Sequence, residues 1–248
     1  MIRIAAPALT ALSLIAAPAQ AFDLSAMTDD ERAAFRAEIR SYLMENPEVI
    51  LEAVQSLEQR QAAAQAQADL TLVELNSDEI FNDGFSWVGG NPDGDVTLVE
   101  FMDYRCGYCR RAAPEVEELL AADGNIRLIV KEFPILGDDS LKSSKFAIAT
   151  RQVAGGDAYK QVHDALMAFS GEVTEVALRR IADSLALEAD PIIARMDGPE
   201  VMQEIVATRA LAQRLQINGT PTFVLQDELL RGYLPSEQMQ AMVNDKRG

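Results

Sequence analysis

Val96-Thr97-Leu98-Val99-Glu100-Phe101-Met102-Asp103-Tyr104-Arg105-Cys106-Gly107-Tyr108-Cys109-Arg110-Arg111-Ala112-Ala113-Pro114 runs from an apolar, strand-length segment into a helical pattern, with a cysteine pair at the junction. The chain of 248 residues has 2 cysteines, and both are here. Thiols separated by two residues at such a junction can pass between dithiol and disulfide without rebuilding the fold. Cys106 falls at the amino end of the helix, where unpaired N–H groups and the positive dipole end favour a thiolate. Arg105, Arg110 and Arg111 place positive charge nearby. Cys109, three residues on, faces inward as the resolving thiol, and Pro114 removes a hydrogen-bond donor from an early turn.

The pair is not needed as a staple. Hydrophobic residues make up 48% and charged residues 25% of the chain, an ordinary globular balance. A loop of four residues also removes little entropy from the unfolded chain. The pair therefore reads as a redox-active disulfide that requires no other cofactor and no metal.

Glu100 interrupts the apolar run six residues before Cys106. Inside a central strand, a carboxylate there is costly, its pKa rises, and it can exchange protons with the thiols. On an edge strand it is an ordinary solvated acid. A second apolar strand, Ile126 to Phe133, follows the helix and completes a strand-helix-strand unit, which implies parallel strands. Lys131 in that strand either counters Glu100 or is a solvated strand end.

Working outward, residues 1–21 carry one charge, Arg3, then an Ala/Leu/Ile run and Ala19-Gln20-Ala21. This has the pattern of a secretory signal cleaved near Ala21, too short for a membrane span, and it implies export to an oxidising compartment. The net charge of −17 argues against nucleic acid and anionic lipid as partners.

From Thr28, apolar residues Phe35, Ile39, Tyr42 and Leu43 share a helical face. Asn46-Pro47-Glu48 has the cap, first-turn proline and acid of a new helix start. Beyond it Ile50, Val54, Leu57, Gln61, Ala64, Ala68, Thr71 and Leu75 alternate spacings of four and three, a heptad seam. Residues 22–75 are thus a helical region, packed on its own domain or used for self-association, and 76–248 a separate domain.

In that domain, helical period is lost between Asn76 and Asp95, with a short strand at Phe85 to Val88. Five helical stretches fill about 138–215, and His163 sits mid-helix in a packing role. Strand character returns at Thr220 to Leu225 and at Leu229 to Tyr233, a hairpin, before a last helix from Pro235.

The order of these features resembles the DsbA-like family of thioredoxin-fold proteins from about Phe85 onward. The expected fold class is α/β: a thioredoxin fold with a large helical insertion, preceded by an amino-terminal helical stalk. The resemblance implies that Thr220-Pro221 is a cis peptide facing the cysteines, with Thr220 and Pro221, together with Gly107 and Tyr108, forming the substrate-binding surface. It also implies that Cys106 is the exposed nucleophile, that Cys109 resolves the mixed disulfide and that Glu100 handles protons, with Arg105 and Lys131 tuning the site electrostatically. Tyr42 to Ile50 resembles the amino-terminal region of ScsC-like members, some of which trimerise through it and act as disulfide isomerases or reductases. On that likeness residues 47–75 form a homotrimer stalk.

Strongly oxidising members carry Pro-His between the cysteines, where this chain has Gly107-Tyr108. Loss of that cationic donor makes the disulfide less oxidising. The expected activity is periplasmic thiol-disulfide exchange on cysteine-containing exported proteins, as isomerase/reductase or as dithiol oxidase, recharged by a membrane redox partner. The alternative is a copper-binding periplasmic stress protein that uses the same thiols, since soft thiolates favour Cu(I).

Overall fold

A computed structural model describes residues 26–248; the expected signal segment and its cleavage point lie outside the described residues. The chain divides into two compact units that meet between Gln59 and Arg60.

The first unit holds helix α1 (Asp29–Glu45) and the start of helix α2 (Glu48–Leu75). A reciprocal capping box starts α1: the Thr28 amide donates to Glu31 Oε2 at 2.8 Å and the Glu31 amide to Thr28 Oγ1 at 3.3 Å. No residue of α1 is buried. Phe35, Ile39, Tyr42, Ile50, Leu51, Val54 and Leu57 are all exposed, so this unit carries an apolar surface it does not cover itself.

The second unit begins inside α2, ahead of the boundary at 75/76 read from the sequence. Asp69 and Val73 are buried there, while seam residue Leu75 stays exposed. A short helix α3 (Ser77–Phe81) follows where the sequence shows no period. Five residues with only Ile80 buried leave no repeat to detect.

Five strands form one mixed sheet: β1 (Trp87–Gly90), β2 (Val96–Met102), β3 (Ile126–Glu132), β4 (Thr222–Leu225) and β5 (Glu228–Arg231), in the order β1-β3-β2-β4-β5. β2 and β3 run parallel, joined by helix α4 (Gly107–Ala122), and the other pairings are antiparallel. β2 is central, which explains its nearly unbroken apolar sequence. Helices α5 (Asp138–Ala154), α6 (Gly156–Ala168), α7 (Glu175–Ser184), α8 (Ala189–Arg195) and α9 (Pro199–Arg214) form the insertion, and α10 (Ser236–Arg247) closes the chain. This is the expected thioredoxin fold with its helical insertion.

Strand alternation splits the core in two. Leu98, Met102, Leu128 and Val130 pack with the cysteines, Val116, Phe146 and Tyr159 on one face. Val99, Phe101 and Ile129 pack with Val73, Ile80, Leu211 and Leu215 on the other. The chemistry therefore belongs to the face covered by α4, α5 and α6.

Candidate active site

Cys106 is the N-cap of α4, with extended backbone at φ −76° and ψ 118°, and Gly107 starts the helix. Both cysteines are free thiols. Cys106 retains 8% exposure and Cys109 none, so Cys106 is the reachable sulfur, though less open than the sequence suggests. Its Sγ donates to the carbonyl oxygen of Thr220 at 3.1 Å. The Thr220-Pro221 bond is cis and lies in the loop that leads into β4, opposite the cysteines. Tyr108 is 64% exposed beside them.

Cys109 accepts from the Asp103 amide at 3.5 Å. Burial pushes its thiol pKa well up, and the nearby Glu100 carboxylate adds to the rise. Glu100 is buried in β2, so the edge-strand reading does not hold. Burial, then the Glu117 and Glu132 carboxylates, raise its pKa to about 8, and its Oε1 has no hydrogen-bond partner among the described residues. An acid that ionises near neutral pH beneath the resolving thiol has the chemistry of a proton acceptor.

Two expectations need correction. Lys131 pairs in register with Phe101, whereas Glu100 pairs with Val130, so the lysine leaves the opposite face of the sheet. It is fully buried, donating to Asp83 Oδ2 at 2.6 Å and to the Glu79 carbonyl at 2.8 Å. It neither counters Glu100 nor reaches solvent. Arg105 does not turn its guanidinium onto the thiol; it donates to the Gly171 carbonyl at 3.0 Å. Arg110 bridges the Tyr104 and Phe169 carbonyls at 2.8 and 2.5 Å, and Arg111 stacks 4.3 Å over the Tyr233 ring. These arginines fasten loops of the insertion and the carboxyl-terminal segment to the active-site helix.

Asp103 escaped the sequence reading. It is buried, and its carboxylate accepts from the amides of Arg105 (2.8 Å), Ile135 (2.8 Å) and Leu136 (3.1 Å). One side chain thus ties the turn before Cys106 to the loop after β3. Glu132 was missed as well, although an acid at the end of an apolar strand is the signal that exposed Glu100.

The sequence from 97 to 244 matches the DSBA-like thioredoxin domain, well over half of the chain. The chain belongs to the DsbA-like thioredoxin family. Residues 31–64 match a second model, the copper resistance protein ScsC N-terminal domain, which places the chain with the ScsC-like members. Among solved structures, a thioredoxin-like oxidoreductase from Silicibacter pomeroyi DSS-3 is 45% identical with a TM-score of 0.64, covering 68% of this chain and 96% of that one. Salmonella enterica Typhimurium BcfH is 26% identical with a TM-score of 0.72, covering 88% and 97%. A Na(+)/H(+) antiporter NhaA 1 of Salinispora arenicola is 30% identical over 157 residues, 63% of this chain. The chain spans about a quarter of the length of the first curated relatives it matches, 24% for that antiporter. Among the described residues no helix is long and apolar enough to cross a membrane.

Proposed function

We propose that this protein works in the periplasm as a disulfide isomerase or reductase of cysteine-containing exported proteins, using the Cys106-Gly107-Tyr108-Cys109 pair. The observation that carries this reading is the hydrogen bond from Cys106 Sγ to the Thr220 carbonyl. It holds the reachable sulfur at a helix N-terminus, against the half-buried Thr220, beside which a client strand can lie.

The Cys106 thiolate attacks a client disulfide, forms a mixed disulfide and releases one client thiolate. If another client thiolate then attacks the client sulfur, Cys106 leaves as thiolate and the client disulfide has moved without net oxidation. If the client stalls, Cys109 gives its proton to Glu100 and attacks Cys106 Sγ. The client departs reduced, and the Cys106–Cys109 disulfide remains to be reduced by a membrane thiol partner. The absence of a histidine between the cysteines supports this direction over oxidation. The uncovered apolar residues of the first unit support a self-associated, trimeric enzyme built through residues 47–75. For the copper alternative, the described residues offer no group of three or more His, Cys, Asp or Glu side chains placed to hold a metal ion.

Cys109→Ala should trap dithiothreitol-sensitive adducts with a scrambled disulfide substrate through Cys106, and the double cysteine variant should trap none. No adducts on a nonreducing gel would overturn the reading. Faster recovery of activity from scrambled than from reduced substrate distinguishes isomerisation from oxidation.

A further inference from the structure

Glu132 ends β3 on the same sheet face as Glu100, because Glu100 pairs with Val130 and side chains alternate. Two residues along the strand and one strand across put their Cα atoms roughly 8 Å apart. Glu132 is buried, and its Oε1 accepts from the Tyr104 and Tyr159 hydroxyls, each at 2.7 Å. Oε2 has no partner among the described residues, as for Glu100 Oε1. The Tyr104 hydroxyl also lies 3.1 Å from His163 Nδ1, and the Tyr159 ring stacks on Trp87 at 5.5 Å and on His163 at 5.9 Å. Tyr104 has one proton to give, so when it serves Glu132, a neutral His163 carrying its proton on Nδ1 donates to the Tyr104 oxygen. Two hydroxyls aimed at one oxygen of a buried acid stabilise its ionised form, and a second buried acid close by opposes that.

Resting on the thiol-exchange reading, we propose that Glu100 and Glu132 share one negative charge, and that Glu132, held by Tyr104 and Tyr159, is the positioning residue that sets when Glu100 is free to take the Cys109 proton. In the competent state Glu100 is ionised, either because Glu132 has taken a proton from solvent or, at alkaline pH, because both acids have lost theirs. Cys109 then passes its proton to Glu100, its thiolate bonds to Cys106 Sγ, and the client sulfur leaves with the electron pair of the broken bond. Glu100 finally returns its proton to solvent.

The groups facing Glu132 fit this division. Asp103 and Glu100 oppose its charge from the β2 loop and β2; Tyr159, His163 and Ser144 approach from α6 and α5, Arg151 of α5 and Glu204 of α9 line the same cavity, and Lys160 and Asp164 lie farther out on α6. Burial raises Glu132 to about 7 and Glu100 to about 8, and pushes His163 down to about 4, so the histidine stays neutral through the working range. Glu132, with two hydroxyls donating to it, ionises ahead of Glu100, whose Oε1 has no donor among the described residues, and so holds Glu100 protonated.

The test follows the full chain reacting with an aromatic disulfide, 5,5′-dithiobis(2-nitrobenzoate), in stopped flow from about pH 5 to about pH 9, a range that brackets both carboxylates. The first thionitrobenzoate reports Cys106 and the second reports attack by Cys109. Glu132→Gln should move the acid limb of the second release to lower pH, making it roughly three- to tenfold faster near pH 6 with an unchanged alkaline plateau, as one pKa unit is tenfold. Tyr104→Phe, which removes one donor that stabilises the Glu132 charge, should shift it the same way by less, and supplies the answer if Glu132→Gln does not fold. Profiles of a folded Glu132→Gln or Tyr104→Phe variant that superpose on the parent would overturn the shared charge while leaving thiol exchange intact. No second release from the parent protein would overturn both.

Discussion

Glu100 and Lys131 lie on neighbouring parallel strands, one register step out of line, and leave the sheet on opposite faces. The acid sits under the thiols without a cation, and the lysine is spent on Asp83 and the Glu79 carbonyl. Their separation leaves Glu100 proton-binding near neutral pH and makes the site separable from the ion pair below the sheet.

Glu100→Gln should stabilise the protein at neutral pH while slowing resolution by Cys109. Its folded pKa is raised, so the folded state holds a proton that the unfolded state releases above about pH 4.3. Stability is therefore highest below that pH and falls as pH rises toward about 8. The glutamine removes this penalty, worth on the order of 3 kcal/mol at pH 7. Urea unfolding across pH should show a flatter curve and a higher neutral midpoint.

Lys131→Met should cost stability and leave thiol chemistry in place. Its side chain is 1% exposed and that of Asp83 10%, so the substitution strands a buried carboxylate, at about 3–5 kcal/mol. Adding Asp83→Asn should recover much of the loss. The pH profile of Cys109 attack should match the parent in both variants.

Arg231 grips Asp69 through two nitrogens at 2.6 and 2.9 Å, tying the end of α2 to the edge strand β5. Asp69→Ala should cost about 1–2 kcal/mol, since Arg231 can return to solvent. Arg231 holds the Asp69 pKa below the ordinary carboxylate value. The contribution is thus present at neutral pH and is lost as pH falls below about 3.9 and through the folded value. Amide exchange should show earlier opening of residues 60–75 in the variant.

Ile50→Glu with Val54→Glu and Leu57→Glu should abolish self-association. These side chains are exposed, so the changes strain no core. Sedimentation should give the monomer mass for the variant and a multiple of it for the parent. Isomerase activity should fall while the Cys106 reaction with a small disulfide stays constant.

The cysteine pair, the proline-bearing helix, the strands around them and all five insertion helices were legible because each is encoded by neighbours a few residues apart: an apolar run, a 3.6-residue period, a cap. α3 was not, being shorter than the period that would reveal it. The site was half legible. Glu100 stood out as a lone acid in an apolar strand, but the carbonyl that holds the Arg105 guanidinium, the loop amides that Asp103 reaches after β3 and the Tyr159 hydroxyl on Glu132 lie 27 to 66 residues away and leave no local mark.

The sequence by itself determined the reactive atoms, two thiols at a helix N-terminus above an acid, and the elements that carry them. Only the tertiary structure decided which charges face those atoms. A one-residue change in strand register reverses every side chain on a strand, and nothing local records which register the packed sheet adopts. That parity sends Lys131 away from the cysteines and brings Glu132 toward them.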